Sequence, residues 1–183
     1  EKDVINRGTP CAGPAKYTGR VLPGGGFRLQ TGGQSYDFST RLSYPNAGFN
    51  RLVASDQAEA SGQPGWRVQV TPDQTGGRVL AEGPDYRLER TVRFTPRKVE
   101  VSDKLTNRHA DTKLGLVVAD ELSLEGKPAH IRLAGNPNPA LSEYYSPGNP
   151  SVYVNLKSLG LGLLCEDDVF RNQATLYCAA EGK

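Results

Sequence analysis

The sequence has no methionine, only one tryptophan and two histidines, and no long apolar run. A helix that crosses a membrane needs about 20 consecutive apolar residues, so no membrane span is predicted. The chain starts at Glu1 without a basic segment followed by an apolar one, which is the pattern of a secretory leader. This start, together with the absence of methionine, predicts a processed protein or a piece of a longer one.

Cysteine is scarce, with only Cys11, Cys165 and Cys178 in the chain. Three cysteines do not make a disulfide scaffold, and without a CxxC pair no cysteine zinc site is expected. Cys165 and Cys178 fall in two neighbouring predicted strands and could oppose each other, which predicts a disulfide between them. The alternative is that both are buried thiols that pack as small apolar residues.

No concentration of charge of one sign is present. The 22 basic and 20 acidic residues are interleaved and give a net charge of +2. A protein that binds nucleic acid usually concentrates Lys and Arg on one face. We therefore expect no nucleic-acid partner.

The chain is rich in turn-forming residues, with 21 glycines and 13 prolines. No helical period extends over about 12 residues, whereas short strands recur at the spacing of a sandwich. The length of 183 residues suits one domain, residues 1–183, with residues 1–16 as an extended lead-in. We predict an all-β, antiparallel, supersandwich-like β-sandwich with little or no helix. Strands are predicted at 17–22, 27–31, 35–41, 51–54, 66–71, 78–81, 86–95, 98–107, 114–122, 130–133, 151–155, 160–165 and 174–179.

The hairpin over residues 86–107 has the clearest register. If its turn centres on Pro96 and Arg97, or is a four-residue loop there, every apolar side chain of both strands falls on one face. The same register places Arg90 opposite Asp103 on that face. This pair is either a structural ion pair at the edge of the core or a contact for a polar ligand such as a sugar.

Two segments resemble β-supersandwich domains of the galactose-mutarotase-like class. They are residues 99–122, VEVSDKLTNRHADTKLGLVVADEL, and residues 148–170, GNPSVYVNLKSLGLGLLCEDDVF. Such domains occur as non-catalytic units beside the catalytic barrels of bacterial glycoside hydrolases. The resemblance thus implies a secreted or periplasmic protein and a catalytic domain as a partner in a longer chain. Mutarotases of this class use a histidine acid and a carboxylate base, but His109 and His130 lie outside that histidine motif, so no catalytic role is transferred.

Other catalytic patterns are weak. The acidic clusters Glu166-Asp167-Asp168 and Asp120-Glu121 could supply the two carboxyls, about 5–10 Å apart, that glycoside hydrolysis needs. They could equally be solvated loop acids. No cofactor is predicted, and calcium stays open because carboxylates suit a hard cation. A GxSxG nucleophile motif and a GK[ST] phosphate loop are both absent.

Aromatic residues in loops are the remaining signal. Sugars stack their CH faces on aromatic rings, and loops run mostly over the surface. Tyr144 and Tyr145 lie in the long irregular stretch 134–150, Tyr44 lies in another loop, and Trp66 opens a strand. Trp66 has a core position as its alternative. The candidate sugar-binding residues are Tyr144, Tyr145, Trp66, Tyr44, Arg90 and Asp103.

The sequence therefore predicts a non-catalytic carbohydrate-binding or accessory β-sandwich domain of a secreted carbohydrate-active protein, with a poly- or oligosaccharide as partner. A catalytic sandwich, either an epimerase or a glycoside hydrolase, is one alternative. A structural or protein-interaction domain is the other. Fold alone cannot separate the three, because function depends on the site.

Overall fold

The computed structural model describes residues 17–46, 48–58, 61–124, 128, 130–146, 148, 150–156 and 159–179. Within them the chain is an all-β protein whose antiparallel sheets pack against each other, which confirms the predicted sandwich class. No helix in these residues is long and apolar enough to cross a membrane. The elements are β1 Thr18–Val21, β2 Phe27–Thr31, β3 Gln34–Tyr44, β4 Gly48–Leu52, β5 Arg67–Asp73, β6 Gly76–Glu82, β7 Tyr86–Phe94, β8 Val99–Asn107, β9 Val118–Ser123, β10 His130–Leu133, β11 Tyr144–Tyr145, β12 Ser151–Leu156, β13 Leu159–Leu164, α1 Asp168–Gln173 and β14 Leu176–Tyr177.

The first sheet is built around the long strand β3. Its residues 34–38 pair with β2, and its residues 40–44 pair with β4. Strand β9 pairs with residues 37–42, which overlap both of those stretches, so β9 must occupy the other edge of β3. Strand β1 extends the sheet beyond β2.

The second sheet is a plain meander in the order β5-β6-β7-β8. Its last hairpin has the predicted register, with Phe94 opposite Val99 and Arg90 opposite Asp103. The turn is the four-residue loop that the sequence allowed. In it, the Thr95 amide donates to the Lys98 carbonyl at 2.9 Å.

The core lies between β3 and β7. Both strands alternate buried and less buried residues, because successive side chains of a strand point to opposite faces. A buried polar network joins the two sheets there. Asn50 Nδ2 donates to the Tyr86 hydroxyl at 2.8 Å, and that hydroxyl donates to the Leu42 carbonyl at 3.2 Å.

A third sheet has the order β10-β12-β13, and its inner side reaches the same core through Val154. The two-stranded ribbon β11-β14 adds a small cluster in which Tyr145 and Leu176 pack near Leu133 and Val152. Inner-side residues of β10 and β12 thus face both the main core and the ribbon.

The strand predictions were accurate where the hydrophobic pattern was strong. Predicted strands 27–31 and 130–133 coincide with β2 and β10. The predictions were wrong for residues 114–117, which are irregular, and for 174–179, where the strand covers only Leu176–Tyr177. The ribbon strand β11 and the short helix α1 were not predicted.

Candidate ligand-binding surface

The outer face of the third sheet carries most of its polar side chains. Ile131, Leu133 and Val154 point inward. The alternate residues of the same strands are on the outer face, where the register pairs Ser151 with Leu164 and aligns the others in two rows across the sheet. One row contains His130, Asn155 and Gly160, and the next contains Arg132, Tyr153 and Gly162.

Tyr153 is the aromatic residue of this face, and its side chain is 43% exposed. Its hydroxyl end lies directly above Gly160. A β-carbon added at Gly160 would come within 2.5 Å of the Tyr153 hydroxyl oxygen and 3.1 Å of the ring. The glycine therefore leaves the space that the tyrosine side chain fills, which holds the ring close to the sheet.

A shallow cleft runs beside this ring. It has a volume of about 380 Å³ and is lined by Arg132, Gly135, Ser151 and Tyr153. One end is formed by the tight turn at Ala134 and Gly135, whose φ angles of 52° and 82° lie in the left-handed region. The Ala134 amide donates to the Ser151 carbonyl at 2.8 Å, which fixes the turn against β12.

Three polar side chains on this face have no partner in the part of the chain that the structure describes. Arg132, His130 and Asn155 make no side-chain hydrogen bond or ion pair with any other described residue. Arg90 and Arg28, in contrast, are held by carboxylates. An exposed aromatic ring flanked by unpaired donors and acceptors suits a ligand with both apolar and hydroxyl groups.

The predicted tyrosines of the long loop lie on a different surface. Tyr144 is 76% exposed, and its ring centre is 4.7 Å from that of Tyr177, its cross-strand partner on β14. Tyr145 points the other way, into the small cluster under the ribbon, and its hydroxyl accepts from the Ala140 amide at 2.6 Å. Of this predicted pair, only Tyr144 can offer a ring face to a ligand.

Two other predicted sugar contacts pack against the main core. Trp66 is only 3% exposed, its Nε1 donates to the Arg51 carbonyl at 3.2 Å, and its ring packs edge-on against Tyr86. It is therefore the core residue that was its alternative interpretation. Tyr44 ends β3 instead of lying in a loop, and it is half-buried against the main core.

Arg90 and Asp103, the two remaining predicted sugar contacts, form an ion pair with each other. Arg90 is 2% exposed and forms a two-bond pair with Asp103, while its Nη1 donates to Thr40 Oγ1 at 2.6 Å. Asp120 lies 3.5 Å from Nη2. Burial by itself would lower the pKa of Arg90, but hydrogen bonding to Asp103 and the charges of both aspartates offset it and hold that pKa above its ordinary value. All three nitrogens of the guanidinium thus contact oxygen atoms inside the protein.

Acidic residues of both predicted clusters form salt bridges with basic side chains. Glu121 pairs with Arg41, Glu166 with Lys98 at 3.5 Å, and Asp168 with Arg171 at 2.8 Å. His109 Nε2 lies 2.9 Å from Asp85 Oδ1. No group of three or more His, Cys, Asp or Glu among the described residues is arranged to hold a metal ion.

Cys165 and Cys178 are both free cysteines, so the predicted disulfide between them is not formed. The reason is topological. Cys165 follows β13 of the third sheet, whereas Cys178 follows β14 of the ribbon, and these strands are not neighbours. Cys11 lies outside the described residues.

No protein-family model matches the chain, and searches of curated proteins and of solved structures also give no match. The resemblance to galactose-mutarotase-like domains therefore stays a prediction. Tyr153 was missed because the alternation over residues 151–155 places it on the opposite face from Val152 and Val154 but does not tell whether another element covers that side of the strand. A second signal is the alternation of glycine and leucine over residues 159–163, which leaves the two positions Gly160 and Gly162 on one face of β13 without side chains.

Proposed function

We propose that this chain is a non-catalytic carbohydrate-binding β-sandwich domain and that it contacts its glycan through the outer face of the third sheet. The observation that carries the proposal is the exposed Tyr153 ring, positioned above Gly160 and beside Arg132. The resemblance found in the sequence adds the expectation that the domain is an accessory unit of a secreted bacterial carbohydrate-active protein.

The chemistry of this surface suits a sugar. The apolar CH face of a pyranose can stack on the Tyr153 ring, and its hydroxyls can exchange hydrogen bonds with Arg132 and Asn155, whose side chains have no partner in the described residues. The cleft is open and shallow, and the glycine positions of β13 prolong it into a flat surface. An extended poly- or oligosaccharide fits this shape better than a small metabolite, which is usually enclosed.

The same surface supports binding more than catalysis. Glycoside hydrolysis needs two carboxyl groups across the scissile bond. The outer face of the third sheet has no aspartate or glutamate among its described residues. Glu121, Glu166 and Asp168 of the predicted clusters pair with cations on other parts of the protein. A hydrolytic or epimerising role at this surface would therefore lack the carboxylate that either reaction needs.

The test is affinity electrophoresis of the full chain in gels that contain one of a panel of soluble polysaccharides. We expect at least one polysaccharide to retard the chain and the Tyr153→Ala variant to lose that retardation. Tyr144→Ala is the matched control, since it removes an exposed tyrosine from the ribbon and leaves the third sheet intact.

Each result leads to a different conclusion. Loss of retardation with Tyr144→Ala and not with Tyr153→Ala would move the site to the ribbon surface that the sequence predicted. The absence of retardation by any polysaccharide would contradict the proposal itself. Circular dichroism of each variant shows that a lost interaction does not reflect a lost fold.

A further inference from the structure

Strand β8 leaves an unpaired edge on the second sheet. It pairs with β7 on one side, and no described residue pairs with its other side. Val101 is 44% exposed and Leu105 is 38% exposed, although both belong to the apolar face of the hairpin. An edge that presents free backbone groups beside apolar side chains is a template for another strand.

The hydrogen bonds at both ends of the hairpin show which backbone groups of β8 point away from β7. The Thr95 amide donates to the Lys98 carbonyl, and the Arg108 amide donates to the Asp85 carbonyl. Antiparallel pairing alternates strictly, so the even-numbered residues of β8 direct their backbone groups toward β7. The amides and carbonyls of the odd-numbered residues, Val99, Val101, Asp103 and Leu105, therefore point to the open edge.

We propose that two copies of this chain associate by antiparallel pairing of their β8 edges, with the two Ser102 residues facing each other on the two-fold axis. In this register Glu100 of each copy lies opposite Lys104 of the other, and Val99 lies opposite Leu105. Odd-numbered residues of one copy then lie opposite odd-numbered residues of the other. Antiparallel hydrogen bonding requires this, because only these residues point their amides and carbonyls to the open edge. The apolar side chains of Val101 and Leu105 gain neighbours across the new strand pair.

Charge selects this register over its neighbours. A two-fold axis at Glu100, Asp103 or Lys104 would place that charged residue opposite its own copy. An axis at Val101 would place Lys98 opposite Lys104. Like charges directly opposite in a sheet destabilise the pairing, whereas opposite charges stabilise it. Only the axis at Ser102 sets Glu100 and Lys104 together twice.

The first test is disulfide trapping of the full chain. Residues directly opposite at a pair without mutual hydrogen bonds have β-carbons about 4.5–5.5 Å apart, close enough to form a disulfide after small adjustments. We expect the Ser102→Cys variant to give a covalent dimer on mild oxidation, seen on a non-reducing gel. Thr106→Cys is the matched control, because it lies on the same face of β8 and would face Lys98 of the second copy. The parent chain, treated alongside, accounts for its own three cysteines.

The second test is sedimentation equilibrium. A single strand pair is a small interface, so we expect a dissociation constant of about 1–100 µM. Val101→Pro removes an amide that points to the open edge and leaves the bonds to β7 intact, so this variant should fold and sediment as a monomer. Exchange of both charges in Glu100→Lys/Lys104→Glu keeps the complementary pairs and should retain the dimer, whereas Lys104→Glu alone should weaken it.

Two outcomes would overturn the proposal. One is a parent chain that sediments as a monomer at about 500 µM, well above the expected dissociation constant. The other is a dimer that forms with equal yield from Ser102→Cys and Thr106→Cys or that persists in Val101→Pro. Thermal melts followed by circular dichroism distinguish an unfolded variant from a monomeric one.

Discussion

Arg90 and Asp103 lie directly opposite each other on neighbouring strands and share two hydrogen bonds, of 2.7 Å from Nε and 2.6 Å from Nη2. The same guanidinium reaches Thr40 on β3 and Asp120 on β9. Because β3 and β9 belong to the first sheet, this one side chain joins the two main sheets at the β8–β9 side of the sandwich. The arrangement explains why an arginine occupies a face that is otherwise apolar.

Replacement of Arg90 by methionine should destabilise the protein by about 2–3 kcal/mol, because buried Thr40 and the Asp103 carboxylate, whose side chain is 25% exposed, lose their cationic partner. The measurement is urea denaturation at neutral pH, read as the change in the free energy of unfolding.

The double variant Arg90→Met/Asp103→Leu is the control. Removal of both charges at once avoids an unpaired carboxylate at the edge of the core, so the double variant should be more stable than Arg90→Met alone. An Arg90→Met variant that unfolds within about 1 kcal/mol of the parent would show that the ion pair is not what holds the sheets together at this point.

A second prediction concerns alkaline pH. Burial, with a smaller contribution from the charge of Asp85, raises the pKa of Tyr86 to about 12, although its hydrogen bond with Asn50 acts in the opposite direction. An unfolded tyrosine ionises near 10. Between these values only the unfolded chain loses this proton, so stability that is complete below about pH 10 should decline by on the order of 2 kcal/mol as pH rises toward 12.

The Tyr86→Phe variant isolates this contribution. It should be less stable than the parent at pH 7, because Asn50 and the Leu42 carbonyl lose a buried partner. Its stability should also depend less on pH between 10 and 12. Equal alkaline slopes in urea titrations of the parent and the variant would assign the decline to other groups.

The pairing of strands that follow each other in the chain could be predicted from sequence, whereas the pairing of strands far apart in the chain could not. The register of the β7–β8 hairpin follows from alternation along two adjacent strands, since a shift of one residue would move every apolar side chain to the wrong face. The pairing of β9 with β3 joins residues far apart in the chain. No short-range pattern encodes such a partner, and nothing in the sequence indicated that Asp120 would approach Arg90.

The candidate surface was only partly predictable, for a related reason. The sequence identified loop tyrosines as exposed, and this holds for Tyr144 but not for Tyr145, whose direction depends on what the ribbon packs against. It did not identify Tyr153, which needed knowledge of the outer face of the third sheet. Tyrosines of the same chemistry thus differ in exposure only because they lie on different sides of a sheet.

A third prediction addresses the cysteines. Burial raises the pKa of the Cys178 thiol, and burial together with the charge of Asp120 raises that of Cys165. The thiolate is the species that alkylates, so both residues should react with iodoacetamide several-fold more slowly at neutral pH in the folded chain than in urea. Mass spectrometry of the labelled peptides measures each site separately. Peptides that stay unlabelled in urea until a reductant is added would reveal a disulfide.

The last prediction uses the two glycines of β13 as a matched pair. Both lie on the outer face of the third sheet, but a β-carbon at Gly160 would collide with the Tyr153 hydroxyl, whereas one at Gly162 would meet nothing closer than the Val152 carbonyl at 3.8 Å. Gly160→Ala should therefore displace the Tyr153 ring and weaken glycan retention several-fold. Gly162→Ala should leave it near that of the parent.

Neither substitution reaches the core, because the side of β13 that packs inward is formed by Leu161 and Leu163. Both variants should keep the parent's thermal midpoint to within a few degrees, so a difference in retention between them would report on the position of the ring and not on folding. If Gly160→Ala binds as the parent does while Tyr153→Ala does not, the tyrosine acts through its hydroxyl or from another rotamer. Equal loss in both glycine variants would instead point to a ligand that needs both glycine positions of β13.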